Sequence, residues 1–155
     1  MKNIKTDTED WLLIGIGNSG RSDDGLGWQF LERAAEMCIQ HADFEFRYQL
    51  QVEDVLLISP YPHIIFIDAT HDNVPGGFEM KPCTPAAHYF FSSHTQSPET
   101  ILYLADELYR HRPKAWTLAI SGYKWDIGFG LSAEAEQNLE RALKWFVCKD
   151  FDFSV

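Results

Sequence analysis

The chain has 155 residues, of which 45% are hydrophobic and 14% aromatic, enough to bury the core of one compact domain spanning residues 1–155. Its 23 acidic residues outnumber its 13 basic ones. The resulting formal net charge of −10 at pH 7 argues against nucleic acid and membrane surfaces as partners, because both are anionic.

The sequence also indicates the compartment. No apolar run approaches the roughly 20 residues of a membrane helix, and the lysines near the N-terminus are not followed by the apolar stretch of a signal peptide. A cytoplasmic location is therefore expected. Cys38, Cys83 and Cys148 are far apart and form no CxxC pair, which predicts reduced thiols rather than disulfides or a thiolate zinc site.

The first elements in chain order are a strand, a loop and a helix. Residues 11–16 form a short apolar run that ends in Gly17, as a buried strand entering a tight turn does. After a loop over 19–25, apolar residues at three- and four-residue spacing predict an amphipathic helix over about 25–40. The loop thus lies at the carboxyl end of the first strand.

Two further strands are predicted before residue 70. Alternating apolar and polar residues over 44–50 predict a second strand, and 52–59 is predicted to form a short helix stopped by Pro60. Residues 63–68 have an unbroken apolar core. That pattern predicts a central parallel strand covered on both faces, which ends at Asp68.

The second half of the chain continues the alternation. Residues 77–81 are predicted to form an edge strand bounded by two prolines. Ser97, followed by proline and glutamate, caps a helix that is expected to run to about Arg112. Residues 116–120 form another predicted strand, and Ser132 caps a last helix with an apolar stripe.

Strands that alternate with helices throughout predict an α/β fold: a three-layer sandwich with a mostly parallel, twisted sheet of about five strands and helices on both faces. Ligands bind such sheets in the crevice beyond the carboxyl ends of the strands. Asp23 and Asp24 follow the first predicted strand, and Asp68 ends the third. Carboxylates distant in sequence are therefore expected at one edge of the sheet.

Each of these acids also has a purely structural explanation. Asp23 or Asp24 can cap the first helix, and two adjacent acids allow one to cap while the other faces the crevice. Asp68 can stabilise a turn at Ala69 and Thr70, and this explanation has the same weight as a functional one.

The third candidate ligand is a histidine, and the chain has six: His41, His63, His71, His88, His94 and His111. His94 is favoured because it lies in a polar loop just before the predicted cap of a helix, which is again a connection at the same edge. His71, three residues after Asp68, is the rival. Two carboxylates and an imidazole form a mixed oxygen and nitrogen site that suits nickel or zinc.

A literal GxGxxG motif, Gly15, Gly17 and Gly20, follows the first strand and raises the alternative of a dinucleotide-binding protein. Two features count against it. Asp23 and Asp24 would repel a pyrophosphate, and the end of the second strand lacks the acid expected to hold the ribose. The metal-site interpretation is preferred.

Four segments of the sequence form a recognisable set: GIGNSGRSDDGLG over 15–27, IFIDA over 65–69, Ser93-His94 ahead of a helix, and GFGLS over 128–132. In these segments, which span most of the chain in the expected order, it resembles the hydrogenase maturation endopeptidases. That family removes a C-terminal extension from the large subunit of nickel-iron hydrogenases once nickel is in place.

The resemblance implies that Asp24, Asp68 and His94 contact the metal and carry the catalysis. It also implies that the partner is a nickel-iron hydrogenase large-subunit precursor, which presents the nickel. Zinc or cadmium is expected to substitute for nickel in vitro.

Two mechanisms are open for such an endopeptidase. In one, the three side chains contact the nickel of the substrate, and a water polarised there attacks the peptide carbonyl. In the other, Asp24 and Asp68 act as an aspartic-type carboxylate pair, and the metal serves only for recognition. A binding or escort module without proteolysis is the alternative function. The aromatic-rich tail over 145–153 is a candidate docking surface, although burial of its apolar positions is preferred.

Overall fold

The computed structural model describes residues 10–37, 39–87 and 95–152, which form a five-stranded sheet flanked by α-helices. The strands are β1 (Trp11–Ile16), β2 (Ala42–Arg47), β3 (His63–Thr70), β4 (Phe78–Cys83) and β5 (Lys114–Ser121), and the α-helices are α1 (Leu26–Glu36), α2 (Asp54–Ile58), α3 (Pro98–Tyr109) and α4 (Ala133–Lys149). Short 3-10 turns cover Ser22–Gly25 and Pro75–Gly77.

The strands lie in the order β2-β1-β3-β5-β4. All neighbouring pairs are parallel except β4 with β5. Strand β4 is therefore the edge strand that the sequence predicted between its prolines, although Pro82 lies inside it rather than beyond it. An edge strand tolerates proline because one row of its amides needs no partner.

Successive residues of the central strands bury opposite faces of the sheet. Leu13 and Ile65 belong to a core cluster with α1 and α4, whereas Leu12 and Ile64 belong to a second cluster with α2 and α3. Each fully buried aliphatic side chain of this kind stabilises the fold by roughly 1.5–3 kcal/mol. The predicted three-layer α/β sandwich is confirmed.

Both predicted serine caps are confirmed. The Ser97 hydroxyl accepts a hydrogen bond from the amide of Thr100 at 3.2 Å, and that of Ser132 accepts one from the amide of Ala135 at 3.3 Å. Helix α3 ends at Tyr109 rather than Arg112, because Arg110 adopts a left-handed conformation with φ of 53°.

The bounds of two early elements were predicted wrongly. The helix predicted over 25–40 begins at Leu26 and ends at Glu36, and the chain reverses through His41, whose φ is 65°, to enter β2. The strand predicted over 44–50 instead covers Ala42–Arg47, because that stretch pairs in register with all six residues of β1.

The sequence predicted that strand β3 ends at Asp68, but the strand continues to Thr70. Its pairing with β1 stops at Ile67, whereas its pairing with β5 continues through Asp68 to Thr70. The expected turn at Ala69 and Thr70 is therefore wrong. Asp68 lies just past the last β3 residue paired with β1, and this position opens one side of it to the space beyond β1.

The described residues contain no helix long and apolar enough to cross a membrane. Cys83 is buried and Cys148 is exposed, and both are free thiols as expected. Cys38 lies outside the described residues.

Candidate active site

The backbone of the loop after β1 is closely packed, with Gly17 lying against Asp24. Gly17 has a φ of 137°, and a Cβ atom at this position would overlap the carbonyl oxygen of Asp24. The Asn18 amide donates to the Asp24 carboxylate at 3.0 Å, so this carboxylate is held beside the carboxyl end of β1.

Asp23 is fully buried and takes no part in the crevice. Its carboxylate accepts hydrogen bonds from the amides of Tyr123, Lys124 and Ser132 at 2.7–2.9 Å and from the Ser132 hydroxyl at 2.7 Å. Burial raises the pKa of Asp23, but the Ser132 hydroxyl and the three amides together outweigh burial and hold that pKa below its usual value. Asp23 therefore fixes the β5–α4 connection onto the first loop.

One explanation supposed that Asp23 or Asp24 caps α1, but neither acid does so. The N-cap of that helix is Gly25, which has no side chain to accept a hydrogen bond. The expectation that one acid caps this helix while the other faces the crevice is therefore wrong about the cap: Asp23 is held by the β5–α4 connection instead.

Asp24 and Asp68 line the same cleft, a cavity of about 370 Å³ at the carboxyl ends of β1 and β3. We call it the carboxylate cleft. Its other walls are Ile16, Gly17, residues 48–50 and residues 95–98. From β1 the chain crosses to β2 on one side, whereas β3 and β5 lie on the other, so the cleft occupies the topological switch point of the sheet.

Burial within the cleft wall raises the pKa of Asp68 to about 7; a hydrogen bond from the Ala69 amide lowers it, and the nearby charge of Asp24 raises it. Near neutral pH, Asp68 therefore exchanges readily between its protonated and ionised forms. A carboxyl group with this property is suited to proton transfer.

His94 lies outside the described residues, so its place relative to the two carboxylates is not part of this structure. Thr95 and Gln96, which follow it in sequence, line the carboxylate cleft. The Gln96 amide donates to the carbonyl of Leu50 at 2.9 Å and so fastens this wall of the cleft to the segment after β2.

The rival ligand His71 is exposed, and its ring stacks on that of Trp125 with the centroids 3.7 Å apart. His71 is not among the residues that line the cleft. Within residues 10–37, 39–87 and 95–152, no group of three or more His, Cys, Asp or Glu side chains is arranged to hold a metal ion. The described part of the chain thus supplies two candidate ligands, both carboxylates.

The dinucleotide alternative fits this loop poorly. Its amides are used within the protein: that of Gly17 donates to the Arg47 carbonyl, that of Asn18 to Asp24, and that of Gly20 to the Asn18 side chain. A pyrophosphate needs such amides free to point at it.

Two glycines of the same segment serve packing instead. A Cβ at Gly27 would lie 2.5 Å from the Ile67 carbonyl oxygen and 2.6 Å from that of Ile16, and one at Gly15 would lie 2.7 Å from the Gly27 carbonyl oxygen. Their missing side chains let α1 lie directly on β1 and β3.

Sequence patterns did not reveal the cleft walls. Tyr48 and Leu50 were assigned to a strand, but they lie beyond β2 and face the cleft. Ser132 was found as a helix cap, whereas its hydrogen bond to Asp23 joins residues 109 positions apart and leaves no local signal.

No protein-family model matches the chain, and no curated protein matches it in sequence. Solved structures do match its fold. The nickel-iron hydrogenase maturation protease HycI of Thermococcus kodakarensis superposes with a TM-score of 0.68 at 17% identity, over 91% of this chain and 92% of that one. The hydrogenase maturating endopeptidase HybD of Escherichia coli superposes with a TM-score of 0.64 at 18% sequence identity, over 89% of this chain and 90% of that one. The solution structure of an Escherichia coli endopeptidase superposes with a TM-score of 0.70 at 16% sequence identity, over 94% of each chain.

These similarities define the class of fold, an open and mostly parallel α/β sheet. The fold is that of the hydrogenase maturation proteases, as the resemblance in sequence predicted.

Proposed function

We propose that the chain is an endopeptidase that removes the C-terminal extension of a nickel-iron hydrogenase large-subunit precursor after nickel insertion. The observation that carries this proposal is the pairing of Asp24 and Asp68 in one cleft at the switch point. The shared fold with proteases of that class supports it. The proposal keeps the cytoplasmic location expected from the sequence.

In this proposal Asp24, Asp68 and His94 contact the nickel that the precursor carries. Two carboxylate oxygens and one imidazole nitrogen are a donor set that suits nickel, and zinc or cadmium in vitro. Because the metal arrives with the substrate, contact with it reports that insertion is complete and also places the scissile peptide bond against the two carboxylates.

The carboxylates then act in acid–base catalysis. In the free protein, burial and the charge of Asp24 favour the neutral form of Asp68, so contact with the nickel would release its proton. We propose that a carboxylate oxygen left unbound by the nickel accepts a proton from the attacking water and then gives that proton to the departing amine. The Asn18 amide keeps Asp24 oriented during these steps.

A cleavage assay tests the proposal. Nickel-loaded and nickel-free precursor are each incubated with wild-type protein and with the Asp24→Asn, Asp68→Asn and His94→Ala variants, and loss of the extension is measured by mass. We expect cleavage of the loaded precursor only, and a rate reduction of about 100-fold or more in each variant.

Two variants serve as matched controls. Asp126→Asn changes an exposed acid of the β5–α4 connection, and His71→Ala removes the histidine that stacks on Trp125. Both should cleave at close to the wild-type rate. If the loaded precursor binds but is never cut, the chain is a nickel-state binding or escort module and the assignment as an enzyme is wrong.

A further inference from the structure

The connection between β5 and α4 carries two large apolar side chains that face solvent. Ile127 is 86% exposed and Phe129 is 93% exposed, the largest fractions among the large hydrophobic residues of the described ranges. Single exposed apolar residues are common on protein surfaces. Two of them lie two positions apart at the same edge of the sheet as the carboxylate cleft, and we call them the apolar patch of this connection.

The backbone that carries this patch is fixed to the loop after β1. The Ser22 hydroxyl donates a hydrogen bond to the Asp126 carbonyl at 2.8 Å, and the Ser22 amide donates one to the Gly128 carbonyl at 2.9 Å. In return, the Gly128 amide donates a hydrogen bond to the Gly20 carbonyl at 2.9 Å. Asp23 holds both ends of the same connection. A patch on such an ordered backbone loses little conformational entropy when a partner covers it.

The carboxylate cleft and the patch lie on two parts of one loop structure. Ser22–Gly25 forms a single 3-10 turn, whose Asp24 lines the cleft and whose Ser22 binds the patch backbone. A cavity of about 370 Å³ holds only a short peptide segment, whereas a specific protein interface covers about 800 Å² on each partner. A folded protein substrate must therefore contact the surface around the cleft.

Aromatic side chains of the tail, within the residues up to 152 that the structure describes, pack against the core instead. Phe146 is buried in the core cluster on the α1 and α4 face, and Trp145 and Phe151 pack against the same cluster. The preferred expectation for this segment, burial against the sheet, holds for these side chains.

We propose that Ile127 and Phe129 form a docking tip that inserts into an apolar recess on the folded surface of the large-subunit precursor, beside its C-terminal extension. This inference rests on the proposed function and identifies part of the surface that recognises the partner. The tip contacts the partner outside the reacting atoms, so it contributes to substrate binding and not to the chemical step.

The test compares wild-type protein with the single variants Ile127→Gln and Phe129→Gln and with the double variant. Affinity for purified nickel-loaded precursor is measured by titration, and kcat and KM are measured from the mass assay. We expect Kd and KM to rise about tenfold or more in the double variant while kcat stays within twofold, because a few side chains buried in the complex carry most of the binding energy of an interface. Unchanged Tm values would show that the variants are folded.

Leu108→Gln is the matched control, because it removes a 60% exposed apolar side chain near the C-terminal end of α3, the end away from the cleft. Its Kd and KM should equal those of the wild type. Wild-type cleavage with unaltered Kd and KM in the double variant would overturn the docking tip alone. Absence of both binding and cleavage in the wild type would overturn the proposed function, and the named partner with it.

Discussion

Asp23 and Asp24 are adjacent in sequence but differ in surroundings. Asp23 is fully buried and accepts four hydrogen bonds from the β5–α4 connection, whereas Asp24 is partly exposed and lines the carboxylate cleft. Residue patterns placed an acid pair here without dividing the two roles, and only the family resemblance singled out Asp24. The donors that select Asp23 come from residues about 100 positions later, and no local pattern reports them.

Asp23→Asn is expected to destabilise the protein by about 2–4 kcal/mol at pH 7, because the amide nitrogen that replaces one carboxylate oxygen would face buried N–H donors. The measurement is urea unfolding. Asp23 has a lowered pKa, so its stabilisation is present above its ordinary value near 3.8 and is lost as the pH falls through the lowered folded value. The difference in unfolding free energy between Asp23→Asn and the wild type should therefore become smaller only in strong acid.

Asp126→Asn, the control for this change, should leave the unfolding free energy within about 0.5 kcal/mol of wild type. A similarly small effect of Asp23→Asn would contradict the role of Asp23 as the link between the two loops.

Asp68→Asn is expected to stabilise the free protein above neutral pH. Burial and the charge of Asp24 raise the pKa of Asp68 from 3.8 to about 7, so this group's contribution to stability is full below pH 3.8 and is lost as the pH rises through about 7. Asparagine cannot ionise and should avoid that loss. We expect the gain to build up between about pH 4 and pH 7 and to level off above pH 7 at up to about 4 kcal/mol, as measured by urea unfolding.

The same variant should lose cleavage activity, as a strained catalytic group often exchanges stability for function. An Asp68→Asn stability difference that does not change with pH would be incompatible with a raised pKa at this carboxyl group.

At the scale of elements, the contact of α1 with the sheet is set by glycine. The GxGxxG pattern suggested a phosphate loop from spacing alone. The structure assigns Gly15, together with Gly27 beyond the motif, to a close approach between a helix and two strands. Hydrophobic periodicity located most elements well, because it reports which face is buried. It placed the ends of β2 and β3 wrongly, because strand length depends on the neighbouring strands.

Gly27→Ala should destabilise the protein by about 3 kcal/mol, since its methyl group would overlap the Ile16 and Ile67 carbonyl oxygens and force α1 outward. Gly20→Ala is the control: its methyl group would approach only the Asn18 side chain, at 3.1 Å, so the cost should be about 1 kcal/mol or less. Both are measured by chemical denaturation. Equal effects would show that α1 does not depend on the glycine contact.

For the whole molecule, the strand order β2-β1-β3-β5-β4 determines where the cleft lies. The sequence predicted the α/β class and the edge that carries the acids, because alternation of strands and helices is a local signal. It did not predict that β5 lies between β3 and β4, since that order depends on contacts between distant segments. The role of His94 remains a prediction.

Native-state hydrogen exchange should follow this order. We expect the slowest amides in the central strands β1 and β3, which are paired on both sides and buried on both faces, and faster exchange in the edge strands β2 and β4. Edge amides that exchange as slowly as central ones would indicate that the sheet opens only as one unit.

The hydrogen bonds that join Asp23 and Ser22 to the β5–α4 connection also fix a distance. They fix the spacing between the docking tip and Asp24, so a partner held at the tip would present its chain to the cleft at a constant span. On this basis the number of residues between the docked surface and the scissile bond, as much as their identity, would select the bond that is cut. The fold would then select the cleavage site by its distance from the docked surface as well as bind the substrate.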